Sequence, residues 1–419
     1  MSTDELLALY ALMVVVVTAW SRRCSGGTVW NPVALHTCSF AGQLLLYLAV
    51  AYGATEGELH FALLAEPRNV LVNYLICSLA FMAAWIGWRE KTPYLNLNSR
   101  GSGPAEMRSA NLVVQVEMLL TGLVVLAVIA VIGFPLLDMI RGRLNIQQMN
   151  AMLVELPFGL LGVNLWLGIL LALNLAVMWF FRRQHRHSPR RLLVLLAVIV
   201  FSSIFYAKRQ LLVMALFFVL MLIWSDKGRP ALGWRQVALG SMAFLAFLSV
   251  YLLVQFVRIG NTGEFEPFEL LGSALWPLIN FDRMADATES LGHLNGLLSQ
   301  IIPNRWFGHA VEDIKDVLFE PTASVSYVQY AYHDLGSAGV AGAAFVLGLL
   351  TRLASGIYRG SVTGLQIRLL VLWVCATAPF YSHGFSNNYF LVPVIMLMGL
   401  QLTLGRVRQA AWMVRPGFR

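Results

Sequence analysis

The sequence predicts an all-α polytopic membrane protein, and three observations carry that prediction. Hydrophobic residues fill 58% of the 419 positions, charged residues only 12%, and mean hydropathy is +0.67. A soluble domain carries roughly 25% charged residues. Apolar runs long enough to cross about 30 Å of hydrocarbon recur along the whole length. Basic residues also alternate between successive connecting segments, as they do in multi-pass proteins.

Taken in order, the first apolar run, inside LLALYALMVVVVTAW, predicts a helix over 6–20. MSTDELLALY lacks the basic stretch of a secretory leader, so this helix is read as retained. The next runs predict helices over 33–52, 70–88, 112–134 and 158–181. Helices over 192–207 and 211–224 follow, broken only by Tyr206-Ala207-Lys208-Arg209-Gln210. A helix over 236–257 ends at Arg258, and helices over 335–351, 367–382 and 388–404 bring the count to about eleven. Residues 1–190 read as a scaffold, 191–405 as a core that includes a long loop at 258–334, and 406–419 as a basic tail. The cysteines (Cys24, Cys38, Cys77, Cys375) form no CxxC pair, so neither a disulfide framework nor a metal site is expected.

Segments 21–32, 89–111, 182–191, 225–235, 352–366 and the tail, with Arg368 at its border, hold 21 of the 30 lysines and arginines but three of the 22 acids. The other segments hold nine cations and, with Glu117, 19 acids. The positive-inside rule makes the first set cytoplasmic, with the N-terminus outside and the C-terminus inside. The net charge of +8 thus expresses orientation, and RRQHRHSPRR is a cytoplasmic stop and not a nucleic-acid patch.

That orientation places 258–334 on the outer face, the periplasmic side in a bacterium. Within it Met284, Leu291, Leu294, Leu298 and Ile301 recur at helical spacing, as do Val311, Ile314 and Leu318. They predict two short helices lying along the interface, separated by Pro303 and stopped by Pro321.

Cations are scarce on this face, so each is a candidate. Lys208 and Arg209 interrupt about 33 apolar residues. They either snorkel to headgroups or face an anionic ligand. Arg258 precedes the flexible turn Gly260-Asn261-Thr262-Gly263; Arg283 and Arg305 lie further on. Each arginine has nearby acids to pair with, but together the five make a cradle for a diphosphate, which arginine grips with two parallel hydrogen bonds. His309, Asp313, His333 and Asp334 are the candidates for proton transfer. Tyr327 and Tyr332, and His383, Asn387, Asn388 and Tyr389 in a second polar turn, offer rings, hydroxyls and amides suited to a sugar. The tyrosines equally suit the aromatic belt of the next helix, and Gly336, Gly339 and Gly342 permit close helix packing.

The basic turn YAKRQ, the arginine-bearing outer loop, TASVSYVQYAYHDLGSAGVAGAAFVLG and the polar turn before the last helix resemble the Wzy-type polymerases of surface polysaccharides and the related O-antigen ligases, over roughly residues 190–405. The resemblance implies a GT-C-like glycosyltransferase of a bacterial inner membrane that works on the periplasmic face. It implies donor and acceptor oligosaccharides linked to undecaprenyl diphosphate, a chain-length-regulating co-polymerase as partner, and no cofactor, metal or nucleotide sugar. A transporter or flippase would instead show broken helices and charges at helix centres, where Glu117 stands almost alone. A membrane O-acyltransferase would need a helix-embedded histidine; His36 is the one candidate, and its place near the start of the second helix puts it on the opposite face.

Overall fold

The computed structural model describes residues 3–24, 31–53, 67–89, 104–133, 160–185, 189–205, 210–225, 326–357, 361–380 and 387–413, with short pieces at 94–95, 137–138, 141, 143–144, 148, 152, 156, 277–278 and 281. Among the described residues every regular element is helical. In order they are α1 (Thr3–Cys24), α2 (Pro32–Gly53), α3 (Pro67–Ala84), α4 (Pro104–Ile132), α5 (Leu160–His185), α6 (Pro189–Phe205), α7 (Gln210–Ser225), α8 (Tyr327–Gly356), α9 (Val362–Thr377), a π-helical turn (Asn387–Leu391) and α10 (Val392–Met413). Segments of α1, α3, α4, α5 and α8 are long and apolar enough to cross a membrane, and five shorter apolar helices accompany them. The predicted helix over 236–257 and both interfacial helices of the outer loop lie outside the described residues.

The surface identifies the surrounding solvent. Helix α1 buries Leu6, Tyr10, Met13, Val17 and Ser21 on one stripe, yet its other face shows Leu9, Leu12, Val15 and Val16. The outer faces of α4 and α6 are built the same way, from Leu119, Leu123, Leu126, Leu193 and Val194. Helices apolar on both faces are stable at the edge of a fold only in hydrocarbon.

The contacts divide the chain into two units. The first gathers residues 1–96, 266–359 and 370–394, and so contains α1, α2, α3 and α8. Helix α8 packs along α3, with Gly348 at the contact: a Cβ there would lie 2.6 Å from that of Ala84 and 3.0 Å from the Phe81 carbonyl oxygen. One turn later Arg352 donates to the carbonyl oxygens of Ala84 (2.8 Å) and Ile86 (3.1 Å), which the end of α3 leaves without helical partners. Gly342, expected to serve close packing, has nothing within 4 Å of its would-be Cβ.

The second unit gathers residues 97–265, 360–369 and 395–419. Its centre is α5, which touches α4, α6 and α7 and is buried continuously from Leu167 to Met178. Across it runs a chain of amides. Gln366 Nε2 donates to Asn174 Oδ1 (2.8 Å), and Asn174 Nδ2 donates to Glu117 Oε2 (2.7 Å). The carboxyl group that stands alone in the helical sequence therefore has a built partner.

Helix α8 corrects the predicted boundary at 335. It begins at Tyr327 and is broken at Leu335 (φ −141°, ψ 18°) and Gly336 (φ 62°, ψ −150°). In a straight helix Ala331 and Gly339 would lie about 12 Å apart. Here a Cβ on Gly339 would collide with the carbonyl oxygen of Ala331. The short half, Tyr327 to Asp334, thus meets the long half at a sharp kink that brings Ala331 against Gly339. Glycine is required twice: at 336 for a backbone region essentially closed to other residues, and at 339 for the close approach.

Candidate functional site

The short half of α8 carries the chemistry of the first unit. Its start is pinned by Gln329, whose Oε1 accepts from the Ser326 backbone N–H while Nε2 donates to the Pro277 carbonyl. Tyr327 then points into the core and is fully buried. Its hydroxyl lies 2.9 Å from His36 Nε2 and 2.8 Å from Cys77 Sγ, joining α8 to α2 and α3. The His36 ring stacks on Phe81, with centroids 4.0 Å apart and planes 6° from parallel.

Further polar pairs continue around this point. Tyr10 Oη lies 3.3 Å from Ser78 Oγ, and Tyr74 donates to Gln43 Oε1 at 2.6 Å. Ser39 Oγ reaches the carbonyl oxygens of His36 (2.8 Å) and Cys375 (3.1 Å). Tyr74 stacks near Phe281 (6.2 Å), and Phe281 meets Tyr332 edge-on at 5.2 Å. His36, near the start of the second helix, thus has Tyr327 of the 258–334 stretch as a hydrogen-bond partner, a pairing that sequence spacing does not reveal.

At the corner sit His333 and Asp334, buried to 5% and 1% exposure. Their nearest approach, Nδ1 to Oδ1, is 3.6 Å, too long for a hydrogen bond. Asp334 has further interactions. Both ring nitrogens of His333 are buried and lack a hydrogen-bond partner among the described residues.

Of the sequence candidates, the structure brings Tyr327, Tyr332, His333 and Asp334 onto one half-helix. Tyr389 follows in the π-helical turn, whose backbone includes Asn387 and Asn388. Lys208, Arg209, Arg258, Arg283, Arg305, His309, Asp313 and His383 lie outside the described residues. His36 and Cys77 are the contributors that sequence reasoning did not join to this half-helix. Their signal was a polar side chain inside an apolar run, which identifies no partner. No group of three or more His, Cys, Asp or Glu suited to a metal occurs among the described residues.

In the second unit a cleft of about 490 Å³ opens between α4 and α6, lined by Gly122, Val125, Leu126, Ile129, Val198 and Phe201 among others. Its lining is almost wholly apolar. No family model matches the chain, and no curated protein or solved structure matches it.

Proposed function

We propose that this protein is a metal-independent glycosyltransferase that polymerises lipid-linked oligosaccharide repeats for a bacterial surface polysaccharide. One observation carries the reading: a buried histidine whose ring nitrogens have no hydrogen-bond partner among the described residues, beside an aspartate, at the corner of a kinked apolar helix. The resemblance of residues 190–405 to Wzy-type polymerases supplies the substrate class, undecaprenyl-diphosphate-linked donor and acceptor. The protein then has about eleven spans in a GT-C-like arrangement in the inner membrane, with its working face in the periplasm. A chain-length-regulating co-polymerase is its expected partner.

The reaction asks two things of the protein. The bond from the donor sugar's anomeric carbon to the diphosphate breaks as a bond to the acceptor hydroxyl oxygen forms. The hydroxyl proton passes to a base, here His333 with Asp334 beside it, while His309 and Asp313 are the rival candidates. The departing diphosphate needs cations, the role of Lys208, Arg209, Arg258, Arg283 and Arg305. Tyr332, His383, Asn387, Asn388 and Tyr389 are the candidates to hold the glycan, and Tyr327 fixes the half-helix. The apolar cleft between α4 and α6 has the lining an isoprenoid chain needs.

Two observations favour a second reading, transport of the lipid-linked saccharide: the broken α8 and the buried carboxyl of Glu117. A deletion strain complemented with the intact gene separates the readings. Polymerase loss leaves carriers capped with a single repeat, and that result is expected. Long polymer left on its lipid carrier identifies a ligase, and repeats trapped on the cytoplasmic side identify a flippase; either outcome overturns the polymerase.

A further inference from the structure

At the end of the first unit marked by Trp20, Trp85 and Trp88 lies a small enclosed space of about 10 Å³, room for one water-sized atom. Three buried polar atoms on residues lining it have no hydrogen-bond partner among the described residues: Ser21 Oγ, Asn31 Nδ2 and Trp85 Nε1. These side chains are 1%, 4% and 2% exposed.

Their chemistry is specified by what surrounds them. Asn31 caps α2, its Oδ1 accepting from the backbone N–H groups of Val33 (3.1 Å) and Ala34 (3.0 Å). That fixes the amide orientation and leaves Nδ2 as a donor. The indole N–H of Trp85 can only donate, and a serine hydroxyl can donate as well. A water would fit the volume, yet of these three groups only Ser21 Oγ can accept one of its two hydrogens. An anionic oxygen accepts from all three groups, and the N-terminus of α2 favours negative charge there.

The neighbourhood identifies the source of that oxygen. Arg22 and Arg23 close α1 and Arg89 follows Trp88, all three exposed. Tryptophans beside basic residues at the ends of apolar helices occupy the headgroup layer of a membrane. We propose that this pocket receives a phosphoryl oxygen of an acidic phospholipid, held by Ser21, Asn31 and Trp85, with the arginines meeting the rest of the headgroup. The proposal is independent of the glycan chemistry.

The test uses the purified full-length protein in neutral detergent, with phosphatidylglycerol, phosphatidylcholine or inorganic phosphate added. Thermal unfolding and native mass spectrometry read stabilisation and lipid retention. Phosphatidylglycerol is expected to be retained and to raise the unfolding temperature, at a concentration where the other two do neither. Trp85→Phe keeps an aromatic ring against Trp88 and removes the N–H. Asn31→Asp keeps the cap and replaces the donor with a carboxylate oxygen. Each should weaken phosphatidylglycerol binding by about tenfold. Unchanged binding in the folded variants overturns the proposal. So does equal stabilisation by inorganic phosphate, which makes this a small-anion site, or by phosphatidylcholine, which removes the requirement for acidic lipid. Should Trp85→Phe fail to fold, Asn31→Asp, with its cap intact, decides the result.

Discussion

Tyr327 is the residue on which three helices converge, and its hydroxyl serves both His36 and Cys77. Tyr327→Phe preserves the ring and its packing but leaves two buried polar groups without that partner. The expected cost is about 1–3 kcal/mol, read as a lowered unfolding temperature in detergent; an unchanged temperature would show that the contact contributes nothing. Nothing in YVQYAYHDLG reveals this role. A tyrosine before an apolar run reads as an interfacial anchor, and only its packing against α2 and α3 shows that it faces inward. The cations are the reverse case, since sequence alone nominates them. Arg209→Ala and Arg258→Ala should each remove a charge-assisted contact worth about 1.5–3 kcal/mol, or one to two decades of activity. Lysine at either position should restore only part of it, lacking the planar fork. Normal polymer ladders from both alanine proteins, present at ordinary levels in the membrane, would remove the diphosphate cradle.

At the scale of an element, the glycines of α8 separate into distinct roles that the sequence shows only as a spaced series. Gly336 occupies φ 62°, ψ −150°, and Gly339 sits against the carbonyl of Ala331, whereas Gly342 meets nothing. Gly336→Ala should therefore cost on the order of 1–3 kcal/mol from backbone strain alone. Gly339→Ala should also be destabilising, because backbone and not a flexible side chain stands in the way. Gly342→Ala should be neutral or slightly stabilising, since alanine favours a helix by about 1 kcal/mol over glycine. Thermal unfolding of the three proteins checks the order, and a harmless Gly336→Ala would refute the kink at Gly336. Periodicity locates a helix after 335 correctly but passes over the half before it, because eight residues with three tyrosines lack the length of a span. Glu117 shows the same limit. The sequence marks it as an isolated carboxyl, but Asn174 lies 57 positions away and Gln366 another 192 beyond that. Neither pairing is written in local spacing.

For the whole molecule, the membrane class was legible because composition acts through every residue at once. The exposed leucines of α1, α4 and α6 are its direct consequence. The pairing of helices was not legible, because apolar faces of similar residues carry little information about which neighbour they will meet. Orientation rests on a different kind of signal, the division of 30 cations into 21 and nine between alternating segments. It predicts that cysteines introduced at Gln184 and Ser225 react with an impermeant reagent only from the cytoplasm. Cysteines at Gly263, Asn304 and Ser386 should react from outside. The background must lack Cys24, Cys38, Cys77 and Cys375, and serine is the better replacement at 77 because it retains a polar partner for Tyr327. Labelling of Asn304 solely from the cytoplasm would reverse the orientation, move the His333 corner to the other leaflet, and exclude a periplasmic polymerase.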